Sequence, residues 1–237
     1  MSTLIGMLWG VKVIPILALI PALLWGQTSV LLSRRAPTDV ELTADADSSL
    51  WRSIQGIVMN ADYFGTPVAN HKTEVRSRWT SAHLYLLFVC QYEELNLKPE
   101  PSPEAETPQL WNWDVAEAFL GADLANIGRY REFQVSPQGE WIDLDIDRTG
   151  QRRGGGAAWN SGMQVKARID ATRKIWYGEM RIPFEALGGQ PEAGREFRAG
   201  FFRIAGKDPD KKKVSWQATG TTTFHVPQKF GRLRLVD

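Results

Sequence analysis

The stretch His83 to Cys90, H-L-Y-L-L-F-V-C, decides the fold. It is apolar on both faces and rich in strand-favouring residues, so it reads as a strand covered on both sides, at the centre of a sheet assembly. Just before it, Glu74 to Trp79 alternates, with Val75, Ser77 and Trp79 on one face and Glu74, Arg76 and Arg78 on the other. That is the pattern of a half-exposed strand. Further on, Arg129 to Ser136 and Glu140 to Asp147 are joined by Pro137-Gln138-Gly139, a hairpin signature. Met163 to Asp170 alternates again, with Ile175 to Ile182 as its expected partner, and strands are expected at Phe197 to Ala205, Val214 to Gln217 and Arg232 to Val236. Helical periodicity is confined to one turn at Pro183 to Leu187. The expected fold class is therefore all-β: an antiparallel β-sandwich, jelly-roll or Ig-like, of two packed sheets.

The chain has 237 residues, 43% hydrophobic and 23% charged, which suits one globular domain with a sizeable core. Its net charge of +1 gives no long-range field for nucleic acid, and none is expected as a partner. The short basic runs Arg152-Arg153 and Lys211 to Lys213 sit beside turn signals and read as solvated loops. Ten tryptophans are a sharper signal. Trp over-packs a core easily, so a high count points to some rings lining a surface or groove.

From Val13 to Trp25 the chain reads V-I-P-I-L-A-L-I-P-A-L-L-W, preceded by Lys12 and followed by Gly26-Gln27-Thr28-Ser29. The apolar run has the length of a signal-peptide core, and Pro15 and Pro21 disturb a spanning helix. Residues 1–26 are expected to be a signal peptide, 27–37 a linker and 38–237 the domain. The expected localisation is exported, periplasmic or secreted. The alternative is an uncleaved anchor, because apolar character resumes at Val30-Leu31-Leu32 and a run from Val13 to Leu32 just spans a bilayer. Membrane contact is expected only through that segment. Oligomeric state is not encoded in any pattern here.

Several chemistries are missing. His71, His83 and His225 lack metal-ligand spacing, and there is no C-x-x-C, phosphate-cradling glycine motif or G-x-S-x-G. The lone Cys90 forms no internal disulfide and lies in an apolar strand as an inert core residue. Trp141, Asp143, Asp145 and Asp147 share one face of their strand and Ile142, Leu144 and Ile146 the other. Three carboxylates in a row can hold calcium, but the spacing is not that of a loop site; a solvated face paired with Lys or Arg across the sheet is the expected reading.

The candidate site begins at Trp111 to Leu120, W-N-W-D-V-A-E-A-F-L, which follows a long loop from Glu93 to Leu110 carrying Pro99, Pro101, Pro103 and Pro108. Val115, Glu117 and Phe119 alternate with Asp114, Ala116 and Ala118, so Asp114 and Glu117 point to opposite faces. That parity opposes a catalytic pair, because glycoside hydrolysis needs two carboxyl groups facing one bond at roughly 5 to 9.5 Å. It permits binding. A flat indole suits the apolar face of a sugar ring, and a carboxylate accepts hydrogen bonds from its hydroxyls.

With these segments in view, the region from about Thr38 to Asp237 resembles the family 9 carbohydrate-binding modules. The resemblance rests on Trp111 to Leu120, on Y-R-E-F-Q-V-S-P-Q-G at Tyr130 to Gly139, and on E-M-R-I-P-F-E-A-L at Glu179 to Leu187. V-S-W at Val214 to Trp216 and F-H-V-P-Q-K-F-G-R-L-R-L at Phe224 to Leu235 complete it. The family consists of antiparallel β-sandwiches appended to xylanases or exported as stand-alone proteins. The resemblance implies a sugar gripped between two aromatic walls, Trp111 and Phe224, with Glu117 and Gln134 as polar contacts. Phe224 and Gln134 depart from the binding members, which have Trp and Arg there. The resemblance implies non-catalytic carbohydrate binding in support of polysaccharide breakdown, xylan included, with no catalytic residue and no required cofactor. Structural calcium is known in some members, and no ligand set for it can be matched here. The alternative is a sandwich binding a protein partner or another small ligand such as haem, for which His225 is the histidine beside the expected site.

Overall fold

The computed structural model describes residues 29–150, 156 and 158–237. The expected signal peptide and the Arg152-Arg153 run lie outside these residues. Thirteen strands are present among them: β1 (Val30–Arg35), β2 (Ile57–Met59), β3 (Ala61–Asp62), β4 (Thr73–Trp79), β5 (His83–Gln91), β6 (Val115–Gly121), β7 (Arg129–Val135), β8 (Trp141–Asp147), β9 (Gln164–Asp170), β10 (Ile175–Pro183), β11 (Glu196–Ala205), β12 (Lys212–Ser215) and β13 (Gly231–Val236). One helical turn, α1 (Phe184–Leu187), follows β10. No helix among the described residues is long and apolar enough to cross a membrane.

The all-β class holds, but the division into two separate antiparallel sheets does not. The strands form one hydrogen-bonded sheet in the order β8-β7-β6-β11-β13-β1-β4-β5-β10-β9, nearly closed as a barrel. The reason is β1. It runs parallel to β13 over five residue pairs and parallel to β4 over two, and so joins two antiparallel arms. Residues expected to form a linker are thus a strand of the sheet. Leu31 is buried in the core, and Val30 to Leu32 are part of the sheet.

The arms face each other across the main core. Val75, Leu84, Leu86, Phe88, Trp176 and Met180 come from one arm, and Ala116, Ala118, Phe133, Val135 and Phe201 from the other. At Gly178 an added Cβ would lie 2.7 Å from Val135 Cγ1, so glycine lets β10 pack over β7. β5 sits between β4 and β10, as its apolar sequence requires. Leu84, Leu86, Phe88 and Cys90 point into the main core, while Tyr85 and Leu87 point outward and are covered by Ala36, Ala44, Leu50 and Trp51. Cys90 is fully buried and its thiol is pushed up to about 11, the condition of an inert core thiol.

That outer cover is pinned by one carboxylate. Glu179 Oε2 accepts hydrogen bonds from the backbone N–H groups of Thr43 (2.8 Å) and Ala44 (2.6 Å), and Oε1 accepts one from Trp51 Nε1 (2.7 Å). Burial raises the Glu179 carboxyl above its usual range, and the three donors work against that rise.

The aspartate face of β8 is not solvated. Asp143 and Asp145 are buried beneath the segment carrying Trp159 and Ser161. Asp143 Oδ2 accepts from the Ser161 backbone N–H at 3.1 Å, Arg131 pairs with Asp145 under the ring of Trp159, and Arg129 pairs with Asp147 at 3.4 Å. The expected cross-strand arginines are there. The solvent is not, because residues 158–163 fold back over the edge strand. Among the described residues, no group of three or more His, Cys, Asp or Glu side chains converges as a metal site.

Candidate functional site

The second arm has its own outer face, and the candidate site lies on it. Val115, Glu117 and Phe119 of β6 point outward there, as the period of two requires, while Ala116, Ala118 and Leu120 fill the main core. Cross-strand register then sets Glu117 beside Gln134 of β7 on one side and Phe202 of β11 on the other. Gln134 in turn sits opposite Ile142, and Glu132 opposite Leu144, of β8. Ile204 of β11 faces Lys213 of β12. Loops complete the enclosure: the turn Leu110–Asn112 brings Trp111, and residues 222–225 bring Thr222, Thr223, Phe224 and His225.

The result is a cleft of about 250 Å³ with Trp111, Phe224 and His225 at its rim and Glu117, Glu132 and Gln134 on its floor. All four residues expected at the site line this one space. Trp111 is 37% exposed, so its indole is available. Phe224 departs from the expected open wall. It is only 6% exposed, because its ring stacks on Phe202 at 4.4 Å between centroids and 14° between planes. One face of Phe224 is therefore committed to the apolar cluster that also holds Phe119, Tyr130 and Phe230. Trp113 packs against that cluster.

The floor is densely polar and nearly dry. Glu117 is 2% and Glu132 3% exposed. Gln134 lies between them and donates both N–H groups of its amide, to Glu132 Oε1 at 2.6 Å and to Glu117 Oε1 at 3.3 Å. Its own Oε1 is buried with no hydrogen-bond partner. Burial first, and the charge of Glu132 second, hold the Glu117 carboxyl well above the usual range; burial pushes Glu132 up to about 7, against the pull of Gln134. Lys213 lowers Glu117 through its charge.

His225 closes the other end. Its Nδ1 lies 2.7 Å from Tyr130 Oη and its Nε2 3.9 Å from Glu132 Oε2. Burial, aided by Arg148, pulls the imidazole down to about 4, and burial raises the phenol of Tyr130 above its ordinary value. At neutral pH the phenol keeps its proton and donates it to Nδ1, which leaves the ring hydrogen on Nε2, toward Glu132.

Asp114 takes no part. It lies on the opposite face, where Oδ1 accepts from the Gly206 backbone N–H at 2.6 Å. Sequence reasoning misses Glu132, Lys213 and Tyr130 as site residues, and places His225 beside the site only as a ligand of the alternative reading, whereas it lines the cleft. Glu132 was within reach of the pattern, since it is two residues from Gln134 on the same strand and must share its face. Lys213 was hidden because its basic run reads as a solvated loop, whereas Lys212 to Ser215 pair with β11 and turn the Lys213 side chain toward the cleft.

Comparison with known proteins agrees with this architecture. The family described as "Carbohydrate family 9 binding domain-like" matches residues 43–237. A crystal structure of a Bacteroides uniformis ATCC 8492 protein superposes with a TM-score of 0.68 at 15% identity, covering 88% of this chain and 99% of that one. A family 9 carbohydrate-binding module from Caldicellulosiruptor kristjanssonii, in complex with cellotriose, gives 0.63 at 12% identity, covering 88% and 94%. In sequence, an "Extracellular protein" of Arthroderma benhamiae is 24% identical over 177 residues, 70% of this chain and 79% of that protein.

Proposed function

The chain belongs to the family 9 carbohydrate-binding domains, and on that premise we propose that the cleft grips a terminal sugar without cleaving it. One observation carries the reading: an exposed indole, Trp111, stands at the mouth of a small cleft whose floor is lined by buried hydrogen-bonding oxygens. A pyranose ring needs that combination, an apolar face to stack on and fixed polar partners for its hydroxyls.

The carboxylates support non-catalytic action. Acid–base hydrolysis needs two carboxyl groups whose environments push their pKa values apart. Here Glu117 and Glu132 are pushed the same way by the same burial and are tied to one amide. Cellotriose bound by the Caldicellulosiruptor module supports plant-type glycans as first ligands. Export, in support of polysaccharide breakdown outside the cytoplasm, is supported by the leader-like residues 1–26 and by the name of the Arthroderma relative.

The experiment is calorimetric titration with glucose, cello- and xylo-oligosaccharides, with and without calcium. Trp111→Ala should weaken binding by about 2 kcal/mol, roughly 30-fold, as central aromatic anchors do. Its melting temperature should barely change, since removing an exposed ring leaves no core cavity. Binding unchanged in Trp111→Ala would place the sugar elsewhere.

A further inference from the structure

We propose that the saccharide this cleft prefers carries a protonated amine, which seats on the floor between Glu117, Glu132 and Gln134. The inference rests on the carbohydrate reading above and narrows the class of sugar.

The argument is one of donors and acceptors. An amide –NH2 has two hydrogens, and Gln134 gives one to each glutamate. No donor of Gln134 is left for a ligand. With both glutamates ionised, what remains on these three side chains is a set of acceptors: the carboxylate oxygens of Glu117 and Glu132, and Gln134 Oε1, buried and without a partner. In that state the orientation of the amide is fixed, because the flipped one would aim an oxygen at each carboxylate. A sugar hydroxyl brings one donor and also an acceptor, for which these three side chains then offer no donor. An ammonium group brings three donors and no acceptor, which is the complement of what the floor offers.

Charge points the same way. Glu117 on β6 and Glu132 on β7 are both buried, and the cation lining the cleft is Lys213 on β12. His225 is held neutral at pH 7 by its burial, and Tyr130 is a neutral phenol. With both glutamates ionised, the lining residues therefore carry one negative charge in excess, with Arg148 acting on the His225 end from outside the lining. A ligand ammonium offsets that excess and lets the second carboxylate ionise without an unpaired buried charge. The aromatic rim suits the same ligand, since a cationic ring is attracted to the indole face of Trp111.

The test is calorimetric titration of the domain with D-glucosamine, D-glucose and N-acetyl-D-glucosamine at pH 7. Glucosamine should bind at least about tenfold more tightly than either neutral sugar. In both Glu132→Gln and Glu117→Gln that ratio should collapse toward one, because each variant removes the charge while keeping the shape. Two variants guard against one failing to fold, and circular dichroism reports which are folded. A glucosamine-to-glucose ratio within twofold in the wild-type protein overturns the inference and leaves the carbohydrate reading standing. So does a high ratio that survives both substitutions. Failure of all three sugars, and of cello- and xylo-oligosaccharides, refutes the carbohydrate reading itself.

Discussion

Replacing Glu132 by glutamine should stabilise the protein, and by an amount that depends on pH in one particular direction. In the folded state burial raises the carboxyl from 4.5 to about 7. The folded chain therefore holds this proton more tightly than the unfolded chain does. Below about pH 4.5 Glu132 is protonated in both states and contributes nothing. As pH rises toward 7 the unfolded state releases the proton freely while the folded state must either keep it or bury a charge, so stability is lost across that window. A shift of this size corresponds to roughly 3 kcal/mol at 1.36 kcal/mol per unit. Glutamine keeps the shape and still accepts from Gln134 Nε2, and it never ionises. It also removes the charge that helps to raise Glu117, which adds in the same direction. The expected result is that the variant and the wild-type protein differ little in their pH response below pH 4.5. Between pH 4.5 and 7.5 the variant gains about 3 kcal/mol relative to wild type, or roughly 6 to 12 °C in melting temperature for a chain of this size. Buried Asp114, Asp143 and Glu179 are raised in both proteins and cancel in the comparison. Thermal melts at pH 4.5, 5.5, 6.5 and 7.5 measure it. A difference between the two proteins that is constant across that series, or that shrinks as pH rises, would refute the account of the floor as two destabilised carboxylates.

Phe224→Trp, which the resemblance alone would favour, should instead destabilise the fold by about 1–3 kcal/mol in urea unfolding, because the ring is stacked on Phe202 and a larger one over-packs the cluster. Glu179→Gln should lose about 3 kcal/mol, since an amide cannot accept from all of the Thr43, Ala44 and Trp51 donors; loss of protease resistance at residues 36–54 should accompany it. No reducing-sugar release above background is expected on xylan, cellulose or small glycosides; activity abolished by Glu117→Gln or Glu132→Gln would show the floor to be catalytic.

The sequence told most where alternation was strict. β4, β6, β8 and β9 are visible as alternation, because a side chain every second residue either meets the core or does not, while β5 shows as an unbroken apolar run and β7 and β10 as partners of their neighbours. The same rule placed Glu117 on the face opposite Asp114. It failed where a distant segment changed what a face meets. Asp143 and Asp145 read as solvated because nothing local reveals that residues 158–163 fold over them. β1 read as a linker because its partners, β13 and β4, are remote in sequence. At the site, Trp111 and Glu117 were legible from one short stretch, whereas the burial of Phe224 depends on Phe202, 22 positions earlier on another strand. The polar network at the floor required knowing which strands are neighbours, and only cross-strand register supplies that.

The joint between the two arms of the sheet is built from β1 and β13, the first and last strands of the described residues. A chain emerging from the ribosome has β1 early, yet β1 lacks its longer partner until residues 231–236 follow. Until then the arms can form as antiparallel pieces and pack across the core, but the hydrogen-bonded joint between β1 and β13 is not made. Closure therefore waits for residues 231–236, with the greatest sequence separation of any strand pair among the described residues. A sheet whose joint pairs residues 30–34 with residues 232–236 stays open while every strand between them is being made.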